Sequence, residues 1–152
     1  DDLVNDYVLG IRNASEKGDT GWESLEEVLR FSLVFRRNRS DSIKVIFRDT
    51  HILQSQTGRL QEHFRDLTKQ ILDVKRDCIE RGQADGSMRR LQIHETAYLL
   101  HVFLNGILHT EACGLIELPE VEEEMLAFCR RSLTPVKKSS SDGDREDECK
   151  DG

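Results

Sequence analysis

The sequence predicts an all-α fold, and three features carry that prediction. Only two prolines occur, Pro119 and Pro135, and both lie at the edges of stretches with apolar periodicity, so nothing interrupts a long helical middle. Apolar residues recur at steps of three and four, the spacing of one helix face. The length of 152 residues fits one domain and a tail. We therefore expect a single bundle of about six helices.

The first three helices follow from their apolar spacing. The first presents Leu3, Val4, Tyr7, Val8 and Ile11. It ends before a break at residues 16–21, which holds two glycines. The second runs from Trp22 to about Arg37 and ends in a basic cluster, which suits a helix C-terminus. Ser40 or Asp41 can cap a third helix. That helix presents Ile43, Ile46, Phe47, Thr50 and Leu53.

The fourth predicted helix has the clearest amphipathic pattern. Its apolar residues, separated by steps of four and three, are Leu60, Phe64, Leu67, Ile71, Val74 and Cys78. We expect this helix to end at Gly82 and a turn to cover residues 83–87. The last helix follows Pro119 and ends near Pro135. It presents Val121, Met125, Phe128, Cys129 and Leu133.

The fifth predicted helix, from Gln92 to about Glu111, has so little charged surface that it must be buried on nearly every side. A small six-helix domain has few neighbours to cover it, so we expect a homodimer to supply the missing cover. Gly106 costs about 1 kcal/mol inside a helix relative to alanine, which is understandable if another backbone approaches closely there. The alternative is that Gly106 admits a bulky side chain from the same subunit.

One stripe of the fifth helix is polar but carries almost no charge: His94, Tyr98, His101, Asn105 and His109. A few donors and acceptors among apolar walls are typical of a small-molecule pocket. Such residues also occur in subunit interfaces or as satisfied core groups. All three interpretations stay open, whereas zinc binding is disfavoured because two helical turns separate the histidines.

Composition and charge narrow the function classes. Lys and Arg number 22 against 29 Asp and Glu, a net charge of −7, so the basic excess of a nucleic-acid-binding surface is missing. No run approaches the roughly 20 apolar residues of a membrane span, and no secretory leader opens the chain, so we expect a cytoplasmic protein without a membrane partner. Residues 136–152 are expected to form a disordered acidic tail.

Catalytic motifs are missing from the sequence. There is no glycine-rich phosphate loop, no H-E-x-x-H pair and no G-x-S-x-G elbow. The four cysteines form no C-x-x-C pair and no zinc-finger spacing, so we expect them to be reduced. We therefore predict that the chain is not an enzyme and holds neither a cofactor nor a metal.

Four segments together resemble the C-terminal part of TetR-family transcriptional regulators. They read DDLV at residues 1–4, CIERG at 78–82, ADGSMR at 84–89 and ETAYLLHVFLNGI at 95–107. The first is similar to the start of the family's connecting helix. The others are similar to its run of I-x-x-G, x-x-G-x-x-R and A-x-x-L-x-x-x-x-x-G. The resemblance covers about residues 1–134.

The resemblance implies an effector-sensing and dimerisation domain of a bacterial one-component regulator. In this family a small ligand enters the bundle and rotates the connecting helix. Operator DNA is contacted only through an N-terminal helix-turn-helix head, which this chain lacks. The last two helices of each subunit form the dimer. A stand-alone all-α dimerisation or adaptor module without a ligand is the alternative.

Helix faces identify the residues expected to serve these roles. The ligand-binding candidates are Trp22, Phe47, His51, Phe64, Tyr98, His101 and Asn105. The dimer-interface candidates are Leu99, Val102, Gly106, Val121, Met125 and Phe128. The chemistry of the pocket candidates predicts an apolar or aromatic effector with one or two hydrogen-bonding groups.

Overall fold

The computed structural model describes residues 2–39, 58–112 and 121–136, which form five helices and no strand. The helices are α1 (Asp2–Ser15), α2 (Gly21–Asn38), α3 (Arg59–Ala84), α4 (Ile93–Ala112) and α5 (Val121–Leu133). Across these ranges the all-α prediction is confirmed. The helix predicted after Ser40, with its pocket candidates Phe47 and His51, lies outside the described residues. So does the predicted tail from residue 137 onward.

The helix limits agree with the sequence pattern to within two residues, and the end of α3 is where a two-residue difference matters. That helix continues through Gly82 to Ala84, so the prediction that Gly82 ends it is wrong. Gly82 is needed for space instead, because a Cβ atom there would lie 2.5 Å from the Met88 side chain. The left-handed residue of the following turn is Gly86, with φ of 78°.

α2 is the central helix and packs against all four others. Leu25, Val28 and Leu29 are completely buried on it. The other helices add buried residues to the same core, among them Ile11, Ile79, Leu104 and Met125. The spacing of three and four that predicted α2 thus becomes the row of side chains on which the bundle is built.

A buried hydrogen-bonded pair joins α1 to α2. The Tyr7 hydroxyl donates to Ser32 Oγ at 2.8 Å, and Ser32 Oγ donates to the Val28 carbonyl at 2.7 Å. The Tyr7 ring also lies 6.2 Å from the Phe31 ring and 5.3 Å from the Phe35 ring, measured between centroids. Each buried hydroxyl therefore has a partner, and the aromatic contacts hold α1 in one orientation on α2.

The start of α2 lies directly against the end of α3. A Cβ atom added to Gly21 would lie 2.0 Å from the Gly82 nitrogen, so the two backbones are in contact. The backbone N–H of Gly21 donates to Asp85 Oδ2 at 2.7 Å, and that of Trp22 donates to Ser87 Oγ at 3.0 Å. These bonds satisfy amide groups that a helix start leaves without partners.

The same bonds explain the acidity of Asp85. Hydrogen bonds from Ser87 and from the backbone of Gly21 hold the pKa of the Asp85 carboxyl group below its ordinary value. Thr20 and Glu23 complete the cap of α2, since the N–H of Thr20 donates to Glu23 Oε2 at 3.1 Å and the N–H of Glu23 donates to Thr20 Oγ1 at 3.2 Å. This reciprocal pair is a capping box.

The Gly21–Gly82 contact predicts a strong effect of one methyl group. Gly21→Ala should lower the free energy of unfolding by about 1–3 kcal/mol, because the new Cβ meets backbone atoms that cannot rotate away. Urea denaturation followed by circular dichroism measures the loss. Asn13→Ala, at an exposed position of α1, is the control and should change stability little. Equal stability of the Gly21→Ala variant and the original chain would contradict the close contact.

Candidate functional site

Five large apolar side chains of α4 and α5 are exposed to solvent. Between 40 and 66% of the surface of each residue is exposed. The five are Tyr98, Leu99, Val102, Phe103 and Phe128. The Phe103 and Phe128 rings meet edge to face with centroids 5.9 Å apart. Because this contact joins the two helices, the five side chains form one surface, which we call the α4–α5 face.

The opposite side of α4 packs into the core of the chain. Ala97, Leu100 and Leu104 are buried there. We expected this helix to be buried on nearly every side. Within a single chain only one of its sides is buried. Tyr98 and Phe103 lie on the other side of the helix and are exposed. A helix that is apolar on both sides needs cover on both, and the described part of the chain covers one.

Gly106 lies on α4 one turn beyond Val102 and Phe103. A Cβ atom added there would have no neighbour within 4 Å in the described part of the chain. The alternative that Gly106 makes room for a bulky side chain of the same subunit is therefore contradicted for these residues. The glycine leaves an open and flat position beside the α4–α5 face.

Two further interface candidates belong to α5 and differ in burial. Val121 is half-buried, whereas Met125 is only 2% exposed and packs in the core. Met125 is therefore unavailable as an interface side chain. The physical reason is the orientation of α5, which turns Met125, Leu126 and Cys129 inward and leaves Phe128 outside.

The described ligand-binding candidates do not share one cavity. Trp22 is buried at the start of α2, beside Gly82 of α3. Phe64 lies 18 residues before Gly82 on the same helix, which at 1.5 Å per residue is about 27 Å away. Tyr98 is on the α4–α5 face. Helix faces alone cannot reveal these separations, because they record direction around an axis and not position along it.

His101 and Asn105 are brought together as the sequence indicated. Both are half-buried, and Nε2 of His101 lies 3.0 Å from Nδ2 of Asn105. They lie one turn apart on α4, where side chains four residues apart are neighbours. The other members of the polar stripe, His94, Tyr98 and His109, are exposed. In the described part of the chain the stripe is a surface feature beside the α4–α5 face.

Phe64 lines an open groove along α3. The described residues of this groove are Phe64, Arg65, Thr68, Lys69, Leu72 and Arg76, and its volume is about 560 Å³. A second groove of about 670 Å³ runs between α1 and α3 and is bordered mainly by charged and polar side chains. Among the described residues that line the two grooves, Phe64 is the one ligand-binding candidate.

Buried cysteines add no reactive centre. Burial raises the pKa of the thiols of Cys78 and Cys129 to about 11 in each case, so both are protonated near neutral pH. Within the described ranges no group of three or more His, Cys, Asp and Glu side chains is placed to hold a metal ion. The helices over these ranges also include none that is long and apolar enough to cross a membrane.

Ion pairs hold α5 against α2 and thereby position Phe128. Glu26, whose side chain is only 13% exposed, accepts hydrogen bonds from Arg130 and Arg30. Arg30 also pairs with Glu123 at 3.2 Å, and Arg37 pairs with Glu122 at 3.3 Å. The spacing of Glu26 and Arg30 on one helix is visible in the sequence, but the pairing with α5 depends on tertiary packing.

The charge state of Glu26 follows from two opposing effects. Burial alone would raise the pKa of its carboxyl group, but the hydrogen bonds and positive charges of Arg130 and Arg30 outweigh it and lower the pKa. A lowered pKa in the folded state means that the ionised form stabilises the fold. This stabilisation is present above the ordinary glutamate pKa of about 4.3 and is lost as the pH falls through the lower pKa of the folded state.

Comparison with known proteins identifies no relative. No family model, no curated protein and no solved structure matches the chain. The resemblance to TetR-family regulators therefore rests on the sequence motifs alone.

The Glu26 contacts predict a pH-dependent loss of stability. Glu26→Gln should lower the free energy of unfolding by about 1 kcal/mol near pH 7, a modest value because both arginines are largely exposed. The difference between the variant and the original chain should shrink as the pH falls below about 4. Denaturation at several pH values measures both effects.

The control for this prediction is Glu124→Gln, which removes a pair at 3.9 Å between two exposed side chains. That variant should lose little stability at any pH. If Glu26→Gln were as stable as Glu124→Gln at pH 7, the Glu26 contacts would not hold α5 in place.

Proposed function

We propose that the chain is the effector-sensing and dimerisation domain of a bacterial TetR-type transcriptional regulator. The observation that carries the proposal is the α4–α5 face, an exposed apolar surface on the two helices that this family uses to dimerise. The proposed partner is a second copy of the same chain. DNA binding belongs to a helix-turn-helix head that the resemblance implies, and the domain described here supplies pairing and ligand response.

The size of the α4–α5 face suits self-association. Its five side chains are each roughly half exposed, so covering one contributes on the order of 1 kcal/mol. A symmetric dimer covers the same five in both copies, for a total on the order of 10 kcal/mol. Association costs about 4–15 kcal/mol in lost freedom, so the apolar contribution is of the right magnitude to hold two copies together. A two-fold axis places the same patch on both sides of the contact.

Charge on α5 is compatible with the same arrangement. The first turn of α5 carries Glu122, Glu123 and Glu124, which would repel their counterparts in a second copy. Arg37 and Arg30 of the same chain pair with the first two, and Arg131 lies near the third. The acidic run is thus largely balanced within each chain before two copies meet.

Signal transmission in this proposal passes through α1, the connecting helix. α1 packs on both α2 and α3, and Arg12 donates to Gln70 of α3 at 2.9 Å. A ligand that favours one arrangement of α3 would therefore bias the position of α1. Paired DNA-binding heads must match half-sites about 34–36 Å apart, so a small change in α1 alters operator affinity.

A dimerisation or adaptor module without a ligand is the second candidate function. The α4–α5 face supports it equally, because pairing alone covers that surface. The two candidates differ in whether a small molecule binds to the chain and shifts α1. Ligand binding therefore discriminates them, whereas dimerisation does not.

Leu99→Glu tests whether the α4–α5 face joins two copies. The variant should shift the mass measured by size-exclusion chromatography with light scattering from that of a dimer to the 17.5 kDa of one chain, because a charge would be buried in the contact. Leu9→Glu is the matched control, since Leu9 is exposed to a similar degree, 59% against 66%, but lies on α1. An identical dimer for both variants would overturn this interface.

Gly106→Leu tests the close approach of two helices without adding a charge. Within one chain the new side chain points into open space, so folding should be unaffected. In a dimer it separates the two α4 helices and should weaken association at least about tenfold, measured by sedimentation equilibrium. An unchanged association constant together with an unchanged melting temperature would show that Gly106 lies outside the contact.

A further inference from the structure

The groove along α3 combines an apolar stripe with positive charge. Phe64, Thr68 and Leu72 follow one another at four-residue steps and form the stripe. Phe64 and Leu72 are both half-buried, so each presents part of its apolar surface to the groove. The volume of about 560 Å³ lies within the range of about 300–1,000 Å³ that small-molecule sites occupy.

Three cationic side chains line this stripe: Arg65, Lys69 and Arg76. Among the described residues of the groove none carries a carboxylate. The asymmetry is notable because the chain as a whole has a net charge of −7. A concentration of positive charge around an apolar strip, within an acidic protein, is complementary to an anion.

Arg76 supplies a second and independent observation. Its Nη1 group pairs with Asp73, one turn away on α3. Its Nε atom, however, is buried and has no hydrogen-bond acceptor among the described residues. A buried donor without an acceptor is costly, and an anionic ligand in the groove would supply one if the Arg76 side chain turned its Nε toward the ligand.

We propose that the α3 groove binds a small organic anion with an apolar body, such as a medium-chain carboxylate. The carboxylate lies among the cations at the groove rim, and the hydrocarbon part covers Phe64 and Leu72. The assignment of this molecule as the effector rests on the proposed function, whereas its binding does not. The sequence predicted an apolar or aromatic effector with one or two hydrogen-bonding groups. At this site the hydrogen-bonding group of the effector is an anion.

Neutral and cationic molecules of the same shape fit the groove less well. A neutral alcohol gains the apolar contact but provides no negative charge for Arg65 and Lys69, whereas Arg76 already pairs with Asp73. A cationic amine is repelled by these cations. Ligands of equal chain length and different charge therefore separate the contribution of charge from that of apolar area.

Octanoate, 1-octanol and octylammonium are suitable probes, each used below the concentration at which it forms micelles. We expect octanoate to bind the full chain at least about tenfold more tightly than octanol in isothermal titration calorimetry, with octylammonium weakest. Amide chemical-shift changes in NMR should be largest for residues 64–76 of α3. These two measurements together give affinity and location.

Variants test the cations directly. The double variant Arg65→Gln and Lys69→Gln should weaken octanoate binding at least about fivefold and leave octanol binding unchanged. Both side chains are exposed, so folding is preserved. The matched control is Arg39→Gln with Lys17→Gln, which removes the same two charges from exposed positions outside α3.

Failure of the anion site and failure of the proposed dimerisation give different results in these experiments. Octanol binding as tightly as octanoate, equal effects of the two double variants, shifts centred outside α3, or no saturable binding would each overturn the anion site. A chain that dimerises but fails these tests keeps its dimerisation role and loses this ligand class. A monomer that binds octanoate in the groove keeps the site and loses the dimerisation role.

Discussion

The direct contact between Gly21 and Gly82 is the constraint on which the rest of the bundle depends. With no Cβ atom on either residue, the first turn of α2 lies against the last turns of α3, and the Asp85–Ser87 turn caps it. This contact determines where α2 begins. The position of the buried residues Leu25, Val28 and Leu29 along the axis of the bundle is then fixed relative to the other helices.

Two kinds of interaction transmit that position to the α4–α5 face. Apolar packing of Leu100 and Leu104 places α4 in the core and turns its second apolar side outward. Charged contacts from Glu26, Arg30 and Arg37 hold α5 beside it. Because the charged contacts are partly exposed, each is weak, and the apolar core of α5 provides most of the binding of that helix. The α4–α5 face is thus a consequence of how α2 organises both neighbours.

Periodicity in the sequence was sufficient for the five helices of the described residues and for much of their core. On α3 the steps of four and three correctly identify Leu67, Ile71, Val74 and Cys78 as buried. The same reasoning misplaced the end of α3, because a glycine required for close helix packing looks identical in sequence to one that ends a helix. Only the position of Met88 and of α2 distinguishes the two roles.

The sequence predicted which side of a helix carries the candidate residues, but not where those residues lie relative to one another in the bundle. The lack of charge along α4 indicated that this helix has a second apolar side. The free-energy cost of a glycine inside a helix identified Gly106 as a candidate for close helix approach. Met125 was wrongly predicted to lie in the interface, because the rotation of a helix about its axis depends on its neighbours. The pairing of Glu26 with Arg130, 104 residues later, and the groove at Phe64 arise from tertiary packing that no local pattern encodes.

Hydroxyl-radical labelling of the unmodified chain at increasing concentration tests most directly whether a second copy covers the α4–α5 face. Leu9 of α1 is an internal standard, since its exposure is comparable to that of Leu99. We predict that labelling of Tyr98, Leu99, Phe103 and Phe128 falls as concentration rises while labelling of Leu9 stays constant. Constant labelling at all five positions across the concentration range would contradict the account.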